Sequence, residues 1–187
     1  MFLRTLRIAA CTVLLAGSAI VPLHAQMAGM DMPADGKKLP SPPATANVTL
    51  AGQTLTIHYN TPHMRNRVIF GGLVPYNQVW RTGANPATTL ITPIPLHIGT
   101  LLVPAGTYTI YTLPTADKWM LIINKQTGQW GTEYNQSQDL GRVELKHHTL
   151  DTPQEVMSLS FDDIKHDSAE FHIRWATTDE SVKISTP

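Results

Sequence analysis

The side chains best suited to chemistry are concentrated in residues 67–85, which read RVIFGGLVPYNQVWRTGAN. Two arginines in this stretch, Arg67 and Arg81, carry planar guanidinium groups whose donors fit carboxylate, phosphate and sugar oxygens. Tyr76 and Trp80 add rings on which a guanidinium or a sugar can stack. The stretch follows neither a helical nor a strand period, and long ordered loops often carry function. We therefore expect it to form the site of the protein.

Arg81 is the centre of the predicted binding site. Trp80 beside it supplies a stacking face, Asn85 supplies an amide, and Arg67 and Tyr76 join from the start of the stretch. The same residues also fit a structural role, in which Arg81 binds loop carbonyls and an internal carboxylate while Trp80 fills the core. The sequence leaves both interpretations open.

A second long loop, residues 124–141, carries Trp130, Glu133, Tyr134 and Asp139. Aromatic rings combined with amides and acids on loops are typical of carbohydrate-binding faces, because rings stack on the apolar face of a sugar. We expect Trp130 and Tyr134 to lie at the rim of the Arg81 site. In the alternative, Trp130 plugs the end of the domain, since tryptophan is highly buried on average.

The sequence carries no recognisable catalytic or cofactor motif. It contains no Gly-x-Ser-x-Gly elbow, no dinucleotide fingerprint and no HExxH pair, and we expect no cofactor. His147 and His148 are adjacent, so on a strand they point to opposite faces and cannot both enter one metal site. An exported hydrolase that acts on sugar or peptide through loop carboxylates and histidine remains an alternative.

The N-terminus has the organisation of an export signal. Arg4 and Arg7 precede an apolar run that ends near Ala25, which predicts a signal peptide over residues 1–25. Residues 26–46 are rich in Met and Pro and predict a flexible tether, and residues 47–187 form the folded domain. We expect a periplasmic or secreted protein with no permanent membrane anchor.

The tether suggests a further alternative, because it holds Met27, Met30 and Met32. Thioethers are soft ligands that suit Cu(I), so these methionines define a possible copper-handling function. Elsewhere, 14 basic residues balance 14 acidic ones, which argues against a nucleic-acid partner. The lone cysteine, Cys11, lies in the predicted signal, so the mature chain has no disulfide.

The rest of the chain alternates between polar and apolar residues in short runs. Residues 47–59 predict a hairpin, 107–113 (TYTIYTL) a strong strand and 119–123 a central strand. Further alternating runs occupy residues 142–148, 155–161, 169–175 and 182–184. We expect an all-β fold, a single antiparallel β-sandwich or jelly-roll-like domain of about eight or nine short strands. A closed barrel is the alternative.

Several stretches resemble a secreted bacterial family, domain of unknown function 2911. They are RVIFG (67–71), LVPY (73–76), WRTGAN (80–85), AT (87–88), AGTY (105–108), Trp119, NK (124–125) and WG (130–131). The resemblance covers residues 47–175 and implies an exported, β-rich bacterial domain with no established activity. The methionine-containing tether lies outside it.

These observations favour a non-catalytic binding module over an enzyme. The predicted ligand is a small polar or anionic molecule, with carbohydrate as one candidate class. Its predicted contacts are Arg67, Tyr76, Trp80, Arg81, Asn85, Trp130 and Tyr134.

Overall fold

Two antiparallel β-sheets form the domain in a computed structural model that describes residues 40–187. One sheet has six strands, and the other has four. This part of the chain has no α-helix and contains a short 3₁₀ helix, Gln136–Gln138. The predicted all-β sandwich is confirmed. The strands are β1 Pro43–Leu50, β2 Gln53–Asn60, β3 Thr88–Thr92, β4 Leu96–Ile98, β5 Leu101–Val103, β6 Gly106–Pro114, β7 Trp119–Asn124, β8 Asp139–Glu144, β9 Lys146–Asp162 and β10 Ser168–Ser185. Their order is β1-β2-β3-β6-β7-β8 in the six-stranded sheet and β5-β4-β10-β9 in the four-stranded sheet.

The first hairpin shows why the alternating pattern predicts the fold. Ala51 and Gly52 form a two-residue turn in which both have positive φ, and such turns match the twist of the paired strands. Val48 on β1 and Leu55 on β2 face the core directly opposite each other. β1 begins at Pro43, inside the segment predicted as tether. The predicted signal peptide and Met27, Met30 and Met32 lie outside the residues that the structure describes.

An aromatic cluster occupies part of the core between the sheets. Trp80 stacks on Trp175 with ring centroids 5.9 Å apart, and Phe70 meets Trp119 edge-on at 4.6 Å. These residues come from a loop, β10 and β7, so the cluster ties the long loop to both sheets. Edge-on and stacked pairs of this kind add about 0.5–1.5 kcal/mol each beyond the area they bury.

The central strands of the six-stranded sheet are buried on both faces. Tyr111 and Ile122 are 1% and 0% exposed, although neither belongs to the core cluster between the sheets. The loop over residues 125–138 covers them from outside, where the Tyr111 hydroxyl donates to the Glu133 carbonyl oxygen at 3.0 Å. The second long loop therefore packs on the outer face of the sheet.

β9 and β10 differ from the prediction of short strands, since they contain 17 and 18 residues. Their pairing shifts register around Ala176, and such bulges interrupt the period of two that predicts one continuous strand. β10 also bends there, at a φ of 52° for Ala176. His172 Nδ1 lies 2.8 Å from Asp179 Oδ1, whereas a straight strand would separate these residues by about 20 Å.

Candidate functional site

The interior of the sandwich offers little space for a ligand. The cavity between the sheets has room for no more than about one water molecule and is lined by apolar side chains such as Leu55, Ile98 and Phe171. The candidate site therefore lies on the surface, where the two long loops meet.

The WRTGAN segment, residues 80–85, is held rigidly against β6. The backbone of Trp80 exchanges hydrogen bonds with that of Thr112 at 2.8 and 2.9 Å. Thr82 Oγ1 donates to Thr112 Oγ1 at 3.2 Å, and Thr88 Oγ1 donates to the Thr82 carbonyl oxygen at 2.9 Å. Thr82 has a φ of 52°, a conformation that costs a β-branched residue about 1–3 kcal/mol. The surrounding hydrogen bonds maintain this strained geometry.

Arg81 is a partly buried charge without a compensating partner. The Trp80 ring packs in the core cluster, and the Arg81 side chain instead packs against Gly131 of the second loop. Arg81 Nε is shielded from solvent and has no hydrogen-bond acceptor. Burial lowers the pKa of Arg81, and no carboxylate of residues 40–187 forms an ion pair with it.

The two long loops meet at Arg81. Gly131 N donates to the Asn85 carbonyl oxygen at 3.2 Å, and Pro86 forms an isolated bridge with Trp130. Trp130 joins this contact through its backbone and is 51% exposed. It does not plug the end of the sandwich, so that alternative is wrong. The structure thus brings Arg81, Asn85 and Trp130 together.

Asn85 anchors the start of the domain to this loop. Its Nδ2 donates to the Ser41 carbonyl oxygen at 3.1 Å, and Asn60 Nδ2 donates to the same oxygen at 3.0 Å. Asn85 has a φ of 60°, which asparagine tolerates better than most residues. Its amide nitrogen is therefore already used by the protein.

Gln129 is a member of this cluster that the sequence analysis did not identify. It is 8% exposed, and its Nε2 donates to Thr109 Oγ1 at 3.1 Å and to the Tyr111 hydroxyl at 3.0 Å. Its Oε1 is buried and has no donor. A glutamine in a polar loop carries no signal of its own, and only its position beside Trp130 could have drawn attention to it.

Residues 41–184 match the family described as "Protein of unknown function (DUF2911)". The chain belongs to this family. The resemblance carried by the WRTGAN segment is thereby confirmed. Comparisons with curated proteins and with solved structures gave no match.

Tyr134 of this DUF2911 domain belongs to a separate polar cluster. Its hydroxyl donates to Asp139 Oδ2 at 2.6 Å and accepts from Arg142 at 2.8 Å. Burial, and then the hydrogen bond to Asp139, raise the pKa of Tyr134 to about 12. Asn124 Nδ2 also donates to Asp139, at 2.8 Å. These contacts support the loop from within.

Arg67 and Tyr76 make their contacts within their own part of the first loop. Arg67 is exposed, and its guanidinium donates to the carbonyl oxygens of Met64 at 2.9 Å and His63 at 2.7 Å. Tyr76 is 39% exposed and rests on Gly71, where an added Cβ would lie 2.9 Å from the ring. Both residues therefore stabilise the fold of the loop.

A second buried polar cluster of the DUF2911 domain lies at the bend of β10. Arg174 donates to Asp179 Oδ2 at 2.9 Å, to Ser160 Oγ at 2.9 Å and to Asp162 Oδ2 at 2.6 Å. His172 binds the other oxygen of Asp179. Each polar group of Arg174 that is aimed inward thus has a partner.

Neither cluster resembles a metal site. Among residues 40–187, no three His, Cys, Asp or Glu side chains are arranged to hold a metal ion. The same part of the chain has no helix that is long and apolar enough to cross a membrane.

Proposed function

We propose that this DUF2911 domain is a non-catalytic module that binds a small polar or anionic ligand, in the surface site formed by Arg81, Trp130 and Gln129. The observation that carries the proposal is the unpartnered Nε of Arg81, whose side chain packs on Gly131 of the second loop, next in sequence to the exposed Trp130. A ligand oxygen would accept from the Arg81 guanidinium, and the Trp130 ring would cover an apolar face of the ligand.

Energetic cost supports a functional role for this geometry. A buried donor without an acceptor costs about 1–3 kcal/mol, and the strained backbone of the adjacent Thr82 adds a similar amount. Native proteins pair the great majority of their buried polar groups, so an unpaired donor at this position calls for a specific explanation, which a ligand would provide. Two such costs at neighbouring positions favour a binding site over a structural clasp.

The carboxylate arrangement favours binding over hydrolysis. A catalytic acid or base needs to reach the substrate, whereas Asp139 already accepts hydrogen bonds from Tyr134, Asn124 and Arg142. The hydrolase alternative would have to use other carboxylates.

Export to the periplasm or beyond the cell is part of the proposal and rests on the sequence of residues 1–25. It predicts that the full chain, expressed in a bacterium, is recovered from the periplasm or medium in a form shortened at the N-terminus. Recovery of the intact chain in the cytoplasm would contradict it.

The binding proposal is tested by titrating the purified protein with anionic and polyhydroxyl small molecules, with heat release or thermal stabilisation as the readout. We expect a ligand whose binding weakens by about tenfold or more in Arg81→Met, since a hydrogen bond to a charged group contributes about 1.5–3 kcal/mol. Trp130→Ala should weaken the binding of the same ligand.

Two matched variants on the four-stranded sheet serve as controls. Lys183→Met removes one exposed positive charge, and Leu102→Ala removes one exposed apolar side chain. Both should bind the ligand as the wild type does. Equal binding by wild type and Arg81→Met would refute the proposed site.

A further inference from the structure

A group of exposed apolar side chains lies on the first long loop. Six large apolar residues in the described part of the chain are exposed, and three of them, Val68, Leu73 and Tyr76, lie within residues 68–76. Val68 is 75% exposed and Leu73 is 47% exposed. Single exposed apolar residues are normal on a protein surface, whereas a contiguous group of them marks a contact with another molecule.

The backbone brings these three residues together around Gly71 and Gly72. A Cβ added at Gly72 would lie 3.2 Å from Val68 Cβ, and a Cβ added at Gly71 would lie 2.9 Å from the Tyr76 ring. Leu73 follows Gly72 directly, and its backbone N donates to the Val68 carbonyl oxygen at 3.0 Å. Val68, Leu73 and Tyr76 thus border one pair of glycines, and we call them the apolar patch.

The loop that carries the apolar patch has a fixed conformation. Ile69 and Val74 point inward and are 2% and 3% exposed. Val74 N donates to the Ile69 carbonyl oxygen and Gly71 N donates to that of Val74, both at 2.9 Å. Because the inward positions are already filled, Val68 and Leu73 stay at the surface of the folded protein.

The surroundings of the apolar patch are basic. Arg67 precedes Val68, Arg65 lies two residues earlier, and both arginines are exposed. Their guanidinium groups donate to backbone carbonyl oxygens, and no carboxylate in the described part of the chain forms an ion pair with either. An acidic side chain does contact the loop, since Glu155 accepts a hydrogen bond from Arg65 N at 2.9 Å. The sequence has no Asp or Glu in residues 36–116.

Apolar side chains beside positive charge fit the surface of an anionic lipid bilayer. Aliphatic side chains enter the acyl region, tyrosine lies at the level of the headgroups, and arginine is attracted to anionic lipid. A second copy of the chain fits less well, because pairing of this surface with itself would bring Arg65 and Arg67 close to their own duplicates. The patch is also small, since a standard protein–protein interface uses about 20–30 residues from each partner.

We propose that this loop docks the protein on an anionic lipid bilayer. Val68 and Leu73 enter the acyl region, Tyr76 lies at the level of the headgroups, and Arg65 and Arg67 bind lipid phosphates. The docking is reversible, because three side chains bury far less apolar area than a spanning helix does. The inference goes beyond the proposed ligand binding and does not depend on it.

Co-sedimentation of the protein with lipid vesicles is the test. The chain is produced from Gln26, so that the apolar run of the predicted signal contributes no lipid binding. One set of vesicles is phosphatidylcholine, and the other contains equal parts of phosphatidylcholine and phosphatidylglycerol. We expect binding to the anionic vesicles to be tighter by about tenfold or more and to weaken at high salt. Equal binding to both sets, or binding to neither, would overturn the inference.

A double substitution tests the apolar patch. Val68→Asp with Leu73→Asp should weaken binding to the anionic vesicles by about tenfold or more, since burial of an aliphatic side chain contributes about that factor. The matched control is Leu102→Asp with Ile164→Asp, which changes two exposed apolar residues outside the loop and adds the same charge. This control should weaken binding much less. Equal losses in the two proteins would show that net charge alone acts, which contradicts docking through the patch.

Substitutions of Arg67 test the basic part of the surface. Arg67→Gln should weaken binding to the anionic vesicles by about fivefold, whereas Arg67→Lys keeps the charge and should bind nearly as the wild type does. Lys183→Gln removes an exposed charge outside the loop and should have a smaller effect than Arg67→Gln. Urea unfolding checks that each variant is folded. Equal losses in Arg67→Gln and Arg67→Lys would overturn the proposed contact with lipid phosphate.

Two further measurements address other occupants of the patch. A wild-type dimer that is lost in the Val68→Asp, Leu73→Asp variant, without binding to vesicles, would assign the patch to a second copy of the chain. A chain that begins at Pro40 keeps every strand described above. Vesicle binding by this shorter chain alone would assign the patch to residues 26–39. Either result would overturn the inference.

Discussion

Arg81 and Arg174 are both partly buried arginines, but their surroundings are opposite. Arg174 donates to Asp179, Ser160 and Asp162, whereas Arg81 Nε has no acceptor. Burial alone would lower the pKa of Arg174, yet its hydrogen bonds to Asp162 and Asp179 outweigh burial and raise that pKa. At Arg81 burial acts unopposed and lowers the pKa.

The difference shows how one residue type can hold a fold together in one region and lack a hydrogen-bond acceptor in another. Arg174 joins the two halves of a bent strand, and its guanidinium donates to three acceptors. Arg81 lies on a rigid, strained loop, and its Nε has no hydrogen-bond acceptor. The same kind of substitution should therefore have opposite effects on the free energy of unfolding at the two positions.

The largest effect is expected for Arg174→Met. The substitution leaves the buried Asp179 and the half-exposed Asp162 without their counter-charge, and breaking such a pair costs roughly 3 kcal/mol. Urea unfolding at neutral pH measures the loss. Lys118→Met, which breaks an exposed pair with Glu144, is the control and should change little.

The pH dependence of the same variant gives a further check. The hydrogen bond from Arg174 lowers the pKa of Asp162, so its stabilising contribution is present above the pKa of the unfolded state and is lost as pH falls through the folded-state pKa. The stability gap between wild type and Arg174→Met should therefore narrow below about pH 4. A gap that stays constant would assign the loss to packing instead.

A smaller loss is expected for Tyr134→Phe, which removes a hydroxyl bonded to Asp139 and Arg142. Hydrogen bonds to charged groups suggest a cost of about 1.5 kcal/mol. Because the pKa of Tyr134 is raised to about 12, its contribution is complete below the unfolded-state value near 10 and is lost as pH rises through about 12. Alkaline unfolding that is identical in wild type and variant would contradict this.

Arg81→Met should have the opposite sign. Replacing an uncompensated, partly buried charge by an apolar side chain of similar length is expected to leave stability unchanged or raise it by up to about 1 kcal/mol. Urea unfolding without ligand is the measurement. A loss of stability comparable to that of Arg174→Met would mean that Arg81 is a structural residue and that the two arginines do not differ in role.

The smallest effect is expected at Glu180, whose carboxylate is fully buried and bonded through one oxygen to His147 at 2.7 Å. Burial raises the pKa of Glu180, opposed by His147. Its contribution is thus complete below the unfolded-state pKa and is lost as pH rises through the folded-state value. As pH rises from acid to neutral, the Tm of Glu180→Gln should increase by about 2 °C relative to the Tm of the wild type. A difference independent of pH would show that Glu180 does not titrate in this range.

The strands could be predicted from the sequence because their signals are local. The period of two in TYTIYTL and the turn at Ala51-Gly52 act between neighbouring residues, and both elements form as expected. The position of the long loops between strands was also predictable. The bend of β10 was not, because a bulge breaks the period on which the prediction depends.

The predicted site divides in the same way. Residue type alone identified Arg81, Asn85 and Trp130, which the structure brings together through Gly131. Type alone did not reveal that the Trp80 ring packs in the core or that the Tyr134 hydroxyl is already bonded. It also gave no sign of Gln129, because an amide becomes informative only when one of its atoms lacks a partner.

By itself, the sequence determined the fold class, the main strands and the loops on which polar and aromatic side chains are collected. It did so because strand periodicity and turn chemistry are properties of adjacent residues. Only the tertiary structure decided which of those side chains are satisfied. Asn85 has a partner 44 residues away, Arg174 has two partners 12 and 14 residues away, and Gln129 has two partners 18 and 20 residues away. Hydrogen-bond completion therefore depends on the packing of distant segments. Arg174 and Arg81 differ in this respect: Arg174 has its acceptors and stabilises the fold, whereas Arg81 Nε has none.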